Sequence, residues 1–315
     1  MKFQINGKNL TFFLPKKISH NLFKEVDVNE FACEILFLDF RETSFITLPG
    51  AMYLICVGGY FSTRKKNIFK GCEIINISDR IIDVLTEFGF FEHMQVQSKL
   101  IINREIISEE RKKRLIRNAN RHSSISNQIV MPLEIIQIGN AAYYETYVSR
   151  FFNLFHDFYI SLSTIPELDF FYDHTSNYQI DYSEVSNAIF EMIKNIYDHS
   201  NSWGIGGIYA SKKIGTQITF YDIGIGIFNS VNKYHVFEDE KDALFWALTD
   251  GNSSKPESNQ GHGFTVMRDI AEKKNGTLSI RSGKYHIYNK QNKLVINPTS
   301  WFPGTQIVIF IPSKP

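Results

Sequence analysis

The amino-acid sequence predicts an α/β protein with two domains, and three features of its pattern support this prediction. Over roughly the first hundred residues, short β-rich runs alternate with segments that have the apolar spacing of helices. Residues 104–128 then replace apolar periodicity with charge, Asn and Ser, as a linker or a solvated helix would. Beyond this stretch, helical patterns resume and alternating strand patterns follow them. We therefore expect a small α/β domain over residues 1–103, a linker and helical connector over 104–175, and a second α/β domain over 176–315.

The composition is that of an ordinary soluble globular protein. Hydrophobic residues make up 43% of the 315 residues, which is ample for the cores of two domains. Lys and Arg number 34 against 33 Asp and Glu, so the net charge of +1 gives no reason to expect a nucleic-acid or acidic-membrane partner. The sequence has neither the apolar core of an export signal nor a run near the roughly 20 apolar residues of a membrane span. Cys33, Cys56 and Cys72 form no CxxC pair, so we expect no zinc site or disulfide framework, and a cytoplasmic location fits best.

Strands and helices alternate in the first domain. The runs "ACEILFLDF" and "GCEIINIS" have the composition of strands, and "SFITLPGAMYLICVGGYFSTRKKN" between them is typical of a turn that leads into a helix. The next stretch, "SDRIIDVLTEFGFFEHM", has Ser78 at the N-cap position, Asp79 in the first turn and Gly89 at the helix end. This order of strand, helix, strand and helix predicts a small α/β domain.

The connector includes an aromatic-rich helix, "NAAYYETYVSRFFNLFHDFYISL". Its large side chains fall near one side at helical spacing: Tyr144, Val148, Phe151, Phe152, Phe155 and Tyr159. Such a stripe predicts a face that is buried in a core or in a dimer.

A row of polar residues accompanies the apolar stripe of the helix predicted over residues 183–199. The stripe repeats at intervals of three and four residues: Val185, Ile189, Met192, Ile193 and Ile196. Glu191, Asn195 and His199 follow one another at four-residue intervals, about 100° around the helix from the centre of the stripe. At that angle they lie at the rim of the core, where they either face a cleft or are simply polar residues on a helix flank.

The first of two glycine-containing turns follows a buried strand. The pattern "TQITFYDIGIGIF" points Ile218, Phe220 and Asp222 to the same side, so that Asp222 ends a buried strand face. A buried carboxylate has to be paired or has to meet a donor from a ligand, because leaving it unsatisfied costs several kcal/mol. Gly224 and Gly226 then allow a sharp turn and the close approach of a flat group.

The second turn, "GHGFTVMRDIAEKKNG", places Gly261 and Gly263 immediately before an amphipathic helix. Unpaired backbone N–H groups at a helix start favour an anion such as phosphate, and the alternative is a simple glycine-rich turn. Residues 228–260, between the two turns, include the polar stretch "DGNSSKPESNQ", which is typical of a loop that closes over a ligand. Near the end, "SWFPGTQIVIFIP" has Gly304 and Thr305 ahead of an alternating strand.

In this order, Glu191, Asn195, "DIGIGI", "GHGF" and "GTQIVIFIP" resemble the boxes of the ATPase superfamily shared by gyrase, a heat-shock chaperone family, histidine kinases and MutL. The resemblance covers about residues 180–313. It implies a two-layer α/β sandwich, the Bergerat-type ATP-binding fold, with ATP and Mg²⁺ bound between the helices under a mobile lid. It also implies that Asn195 is a ligand of Mg²⁺ and that Glu191 is the base that orients the attacking water.

The same resemblance implies an adenine pocket. Asp222 would accept a hydrogen bond from the adenine amino group, with Thr305 close to it. Gly224 and Gly226 would admit the base. Ile223 departs from the family pattern, because many members have Asn at this place.

The phosphate end is implied in the same way. Gly261, His262 and Gly263 would hold the phosphates, and Lys255 in the lid would reach them as a point charge. His262 is unusual inside the second glycine box. A sensor histidine kinase is disfavoured, because the candidate phosphoacceptor His156 lies too close to Asn195 for a separate dimerisation unit.

In the first half, "ILFLDFRETSFITLPGAMYLI" followed by "GFF" resembles the STAS domain of anti-sigma-factor antagonists, over about residues 30–95. STAS phosphoproteins have an Asp-Ser pair at the start of the helix, where Thr47 and Leu48 stand in this chain. We therefore expect no phosphoacceptor in this half.

Together, the two resemblances imply an intracellular ATP-binding protein, a slow Mg²⁺-dependent ATPase that works as a nucleotide-driven conformational switch. Two alternatives stay open. One is a protein-serine kinase of the anti-sigma-factor type that acts on a separate STAS partner, and the other is an ATP-binding scaffold without hydrolysis. A protein partner or a homodimer is expected.

Overall fold

The computed structural model describes residues 2–19, 27–101, 124–125, 128–137, 141–163, 182–211, 215–249, 252, 263–290 and 293–312. The chain forms two compact units, Met1–Ser123 and Ser124–Pro315, and both combine helices with β-sheet. The prediction of an α/β protein is therefore confirmed. Within the described part of the chain, no helix has both the length and the apolar character of a membrane span.

The described part of the first unit contains a sheet of five strands. In spatial order they are β1 (Lys2–Asn6), β2 (Asn9–Phe13), β4 (Ile35–Asp39), β6 (Gly71–Ile75) and β7 (Leu100–Ile101). β1 is antiparallel to β2, every later neighbour is parallel, and β3 (Lys17–Ile18) pairs separately with β5 (Phe45–Ile46). The two runs predicted as strands form β4 and β6. The β1–β2 hairpin is an addition, although Asn6 followed by Gly7 is a common hairpin signal and Gly7 has a φ of +60°.

The helices described in this unit are α1 (Leu48–Arg64), α2 (Asp79–Glu87) and α3 (Phe90–Ser98). Thr47 caps α1, since its Oγ1 accepts a hydrogen bond from the Gly50 N–H at 3.2 Å. Every residue from 48 to 61 is buried, which makes α1 the central helix of this unit's core. Gly89, with a φ of +73°, follows the end of α2, where the sequence pattern predicts a helix end, and α3 begins at the next residue.

In the second unit, six strands of the described part form one sheet in which all neighbours are antiparallel. Their spatial order is β12 (Thr277–Lys290), β13 (Lys293–Ile311), β11 (Gly215–Asp222), β10 (Gly204–Ser211), β9 (Gln128–Ile136) and β8 (Ser124–Ile125). The sequence pattern does not predict β9, because Pro132 cannot donate to a strand ladder. In the structure, Pro132 lies where the register between β9 and β10 shifts, as at a bulge.

Three long helices pack on one face of this sheet: α4 (Ala141–Ser163), α5 (Tyr182–His199) and α8 (Gly263–Lys273). Their apolar side chains share one core with alternate residues of β11 and β13, such as Phe220 and Ile309. The apolar stripe predicted on α5 is buried in this core. Phe151 and Phe155 of the aromatic stripe on α4 are fully buried there as well.

The predicted connector over residues 104–175 differs from the structure. β9 and α4 belong to the sheet and the core of the second unit, which begins at Ser124. Local pattern shows that α4 has an apolar face, but it does not show which sheet covers that face. α4 packs on the preceding strand β9 and also reaches β11, where Phe151 contacts Phe220, so only the packed structure identifies the whole partner surface.

The predicted lid over residues 228–260 is also different in its first half. This part contains two short helices, α6 (Gly226–Val231) and α7 (Glu240–Ala247). Asp239 caps α7 by accepting a hydrogen bond from the Lys241 N–H at 2.7 Å, and Leu244 is buried in the core. The polar composition concealed these helices, because a few buried apolar residues are enough to hold them. From residue 250 onward the predicted lid, apart from Asn252, lies outside the described residues.

Candidate functional site

A cleft in the second unit lies between the side of α5 and the end of β11, with α6, α7 and the start of α8 around it. The space not filled by protein atoms, counted out to its open side, is about 1040 Å³. This figure includes solvent at the open side, so it describes a concave cleft that is open to solvent on one side. The cleft brings together these residues singled out in the sequence: Glu191, Asn195, His199, Asp222, Gly226, Gly263 and Thr305.

α5 places Glu191 and Asn195 on the cleft wall, one helical turn apart. Both side chains are partly buried, because the apolar stripe of the same helix faces the core and leaves this row at its rim. Burial raises the pKa of the Glu191 carboxyl, while Lys194 acts to lower it and Asp198 to raise it further. A carboxylate with a raised pKa is a stronger proton acceptor than an exposed one.

Asp222 is the last residue of β11 and is 5% exposed. Its Oδ1 accepts a hydrogen bond from the Gly224 N–H at 2.8 Å, and the backbone and hydroxyl of Thr305 also donate to the carboxylate. Burial raises the pKa of Asp222 to about 7, because these hydrogen bonds offset only part of the desolvation. A carboxylate has about four acceptor positions, so three donors leave capacity for one from a ligand.

The turn after β11 packs against Ser200, the residue that follows the end of α5. A Cβ atom at Gly224 would lie 2.0 Å from the Ser200 carbonyl oxygen, so this position requires glycine. The Ile225 N–H donates to the same oxygen at 3.0 Å. Gly226 then begins α6 with a φ of +75°, a left-handed conformation that favours glycine. The strand end is thereby held against the helix end, which closes one side of the cleft.

Thr305 lies beside Asp222, but it does not start a strand as the sequence pattern indicates. It lies within β13 and pairs with Ser282 of β12. The preceding residue, Gly304, approaches the carboxylate so closely that a Cβ atom there would lie 2.4 Å from Asp222 Oδ1. The strand extends further than predicted because the long hairpin of β12 and β13 supplies its partner.

Gly263 begins α8 and approaches the carboxylate on α5. A Cβ atom at Gly263 would lie 3.2 Å from Glu191 Oε2. The second glycine turn and Glu191 therefore meet at the cleft. Lys255, Gly261 and His262 lie outside the described residues, so their roles stay predictions.

The cleft also includes polar and aromatic residues that the sequence analysis does not single out: Lys194, Asp198, Trp246 and Asn252. Lys194 and Asp198 follow Glu191 by three and seven positions, so helical spacing could have revealed them. The sequence pattern does not indicate Trp246 and Asn252, because both lie in the polar stretch of residues 228–260 that is predicted to be a loop. Asn252 Nδ2 donates to the Trp246 carbonyl oxygen at 2.9 Å, which holds the two residues together at the cleft.

The donors in the cleft suit Mg²⁺, the metal predicted for Asn195. Among the described residues, no group of three or more His, Cys, Asp and Glu side chains could hold a metal ion by itself. Mg²⁺ is often bound through only one or two protein oxygens, with water and substrate phosphates completing its shell. The amide oxygen of Asn195, with the Glu191 carboxylate one turn away, fits that kind of site.

Comparison with models of known protein families and with curated protein sequences gives no match to this chain. The interpretation of the cleft therefore depends on its geometry and on the chemistry of the residues that line it.

Proposed function

We propose that the second unit is an ATP-binding domain of the superfamily shared by gyrase, heat-shock chaperones, histidine kinases and MutL. It would hydrolyse ATP slowly with Mg²⁺ and use the nucleotide as a conformational switch. The observation that carries this proposal is the meeting of Glu191, Asn195, Asp222 and Gly263 around one cleft, since they come from three separate sequence boxes. Helices packed on an antiparallel sheet support the two-layer α/β sandwich of the Bergerat type.

Asp222 is the proposed acceptor for the adenine amino group. Its carboxylate is buried, accepts hydrogen bonds from uncharged donors and can accept one further hydrogen bond from a ligand. A hydrogen bond between a charged acceptor and a ligand N–H contributes roughly 1.5–3 kcal/mol in such a place. Thr305 would orient the carboxylate, and Gly224 and Gly226 would leave room for the flat base.

Asn195 is the proposed Mg²⁺ ligand at the phosphate end. The bound metal would neutralise charge on the phosphates. Gly263 starts α8, and the unpaired N–H groups of a helix start favour an anion. Glu191 would accept a proton from the attacking water, a role that its raised pKa supports. The remaining phosphate contacts are proposed for Lys255, Gly261 and His262.

The first unit is proposed to be STAS-like but not itself phosphorylated. Two features support this proposal: the sheet is mixed, and α1 connects the neighbouring parallel strands β4 and β6 along the chain. Thr47 is 8% exposed, and its Oγ1 accepts from the Gly50 N–H and donates to the Ile18 carbonyl at 3.4 Å. A hydroxyl held in this way is a poor phosphoacceptor.

A protein-serine kinase acting on a separate STAS partner is the second candidate. Glu191 lines the cleft, and a general base in that position could activate a substrate hydroxyl as well as water. This favours the kinase over a scaffold that only binds ATP. In either case we propose a protein partner or a second copy of the chain that responds to the nucleotide. We also propose a cytoplasmic location, since the buried free thiols of Cys33, Cys56 and Cys72 suit a reducing compartment.

One experiment tests these alternatives together. Titration calorimetry of the full chain with Mg²⁺·ATP should show binding, and Asp222→Asn should remove most of it. Incubation with γ-labelled ATP should then release labelled free phosphate. Label transferred to an added STAS protein would select the kinase, binding without either product would select the scaffold, and absence of binding would overturn the proposal.

A further inference from the structure

His199 is the third member of the polar row on α5, and the proposed function leaves it without a role. Its ring Nδ1 lies 3.1 Å from Ser230 Oγ, at hydrogen-bond distance. Both residues line the cleft, and Ser230 is 6% exposed. This bond joins the last residue of α5 to α6, the short helix that follows the glycine turn.

α6 depends on such outside contacts. It has six residues, and Ile225 at its N-cap position makes no side-chain capping hydrogen bond. Helices shorter than about 12 residues are marginal in water by themselves. The missing cap comes from β12, where the Ser282 hydroxyl accepts from the Ile227 N–H at 2.9 Å and donates to the Gly304 carbonyl at 3.1 Å. α6 is therefore held at its start by β12 and one turn later by α5.

The position of α6 matters for the cleft because of what this helix presents. Ile227 and Val231 both line the cleft, on the stretch that contains Ser230. The Ser282 hydroxyl that bonds the Ile227 N–H also bonds the Gly304 carbonyl, and a Cβ atom at Gly304 would lie 2.4 Å from Asp222 Oδ1. The start of α6 therefore lies close to the buried carboxylate, and the apolar side chains of this helix form a wall near it. A flat aromatic ring gains contact energy from such a wall only when the wall is held in place.

We propose that His199 and Ser282 are positioning residues that clamp α6 and thereby fix the apolar wall against which the base of a nucleotide binds. This inference rests on the proposed function and adds the determinants of base affinity to it. His199 acts through Ser230, and Ser282 acts through the Ile227 N–H. Neither residue takes part in the hydrolysis, which is assigned to Glu191.

A double-mutant cycle with Mg²⁺·ADP as the probe tests the His199 arm. His199→Leu and Ser230→Ala should each weaken binding by about 3- to 10-fold, the usual effect of one neutral hydrogen bond. The double variant should be no weaker than His199→Leu, because the same bond is lost. His199→Asn should restore most of the affinity, because an amide group can stand in for Nδ1 and bond Ser230 in either direction. Ser282→Ala should add its own loss to that of His199→Leu.

Turnover distinguishes positioning from catalysis. With saturating ATP, kcat of His199→Leu should stay within about twofold of the natural chain while KM rises, since only the base end is disturbed. A fall in kcat at unchanged KM, or equal affinity in all variants, would overturn the proposal.

Hydrogen exchange of the α6 amides without nucleotide tests the clamp independently of any ligand. Exchange should be faster in His199→Leu and Ser282→Ala, and it should return to the natural rate in His199→Asn. Glu184→Ala, on the same helix but outside the cleft, is the matched control. If the natural chain binds no ADP, the proposed function fails while the exchange rates still decide the clamp. Unchanged exchange in His199→Leu would overturn it.

Discussion

The two units surround their buried carboxylates with different partners. In the first unit, Asp39 ends β4 and is 1% exposed, and its carboxylate accepts from Arg41 Nε at 2.9 Å and Asn76 Nδ2 at 3.1 Å. Burial acts to raise the pKa of Asp39, but the bonds and charge of Arg41, with Asn76, outweigh it and lower the pKa. In the second unit, Asp222 also ends a strand, but the donors that act on it are uncharged, and its pKa rises to about 7.

The two glutamates of interest show the same contrast. Glu34 in the first unit pairs with Lys70 and with Lys8, whose Nζ lies 2.7 Å away, and these hydrogen bonds lower its pKa to about 2. Burial raises the pKa of Glu191 in the second unit. Acids with raised pKa values that line one cleft are candidates for function, whereas acids with their own cations are complete without a ligand. Asp39 and Glu34 of the first unit are therefore structural acids, and substitutions of them are controls for substitutions of Asp222 and Glu191 in the cleft.

The largest effect is expected from Glu191→Ala, which should leave Mg²⁺·ATP affinity nearly unchanged and lower turnover by roughly 10²- to 10⁴-fold, as for a lost general base. Asn195→Ala should instead weaken Mg²⁺·ATP binding, because it removes the proposed metal ligand. Calorimetry and phosphate release measure the two quantities.

Two control variants on α5 accompany this pair: Glu184→Ala, whose carboxylate bonds Lys273 at 2.7 Å, and Asn187→Ala at an exposed position. Neither residue lines the cleft, so affinity and turnover should stay the same. Hydrolysis by Glu191→Ala at the natural rate would remove the catalytic assignment and leave only a binding site.

The next effect compares the two strand-end aspartates directly. Asp222→Asn should weaken ATP binding about 10- to 100-fold, because the ligand N–H loses the charged group that accepts its hydrogen bond. Asp39→Asn should leave ATP affinity unchanged and should destabilise the protein by roughly 1–2 kcal/mol, since the buried carboxylate loses its ion pair with Arg41, whose own side chain is largely exposed. Calorimetry and urea unfolding give the two values. Equal loss of affinity in both variants would remove the distinction between structural and functional acids.

A smaller effect concerns the dependence of stability on pH without nucleotide. The folded pKa of Asp222, about 7, lies above its ordinary value of 3.8, so the native state binds the extra proton between these values. Its contribution to stability is fully present below about pH 4 and is lost as pH rises to about 7. Asp222→Asn should therefore gain stability relative to the natural chain over this range.

Asp39 should show the opposite sign. Its folded pKa is lowered, so its contribution is present above its ordinary pKa and is lost as pH falls through the folded value. The stability difference between Asp39→Asn and the natural chain should shrink in acid. Urea unfolding provides the measurement, for Asp222→Asn between about pH 4 and pH 8 and for Asp39→Asn from neutral pH down to below its ordinary pKa of 3.8. Parallel pH profiles of the two variants would contradict the contrast.

The smallest effect is an expected absence of modification in the first unit. Incubation with γ-labelled ATP should leave Thr47 unlabelled, because its hydroxyl is buried and bonded on both sides. Ser44, which is exposed, is the internal comparison. Stable phosphate on either residue, detected by mass spectrometry, would favour the kinase hypothesis and would show that this unit is a phosphorylation target.

Features with a short repeat could be predicted from the sequence. The apolar stripe of α5 and the polar row beside it follow from a period of 3.6 residues, and Asp222 at the end of a buried strand follows from a period of two. For that reason the sequence alone could identify Asp222 as the candidate acceptor for the adenine amino group and Glu191 as the candidate general base. The hairpin at Gly7 could also have been predicted from its turn residues.

What the sequence by itself determined is the local character of the strongly periodic segments, such as α5 and β11: whether each is a helix or a strand, which side faces a core, and which polar residues stand at its rim. The tertiary structure alone decided that β9 and α4 join the second unit, that Thr305 lies inside a strand beside Asp222, and that Ser282 caps a helix from another strand. The physical reason is range. Periodicity reflects interactions within one or two turns or pleats, whereas these contacts join segments far apart in the chain, and their partners are chosen by packing and hydrogen bonding in the folded core.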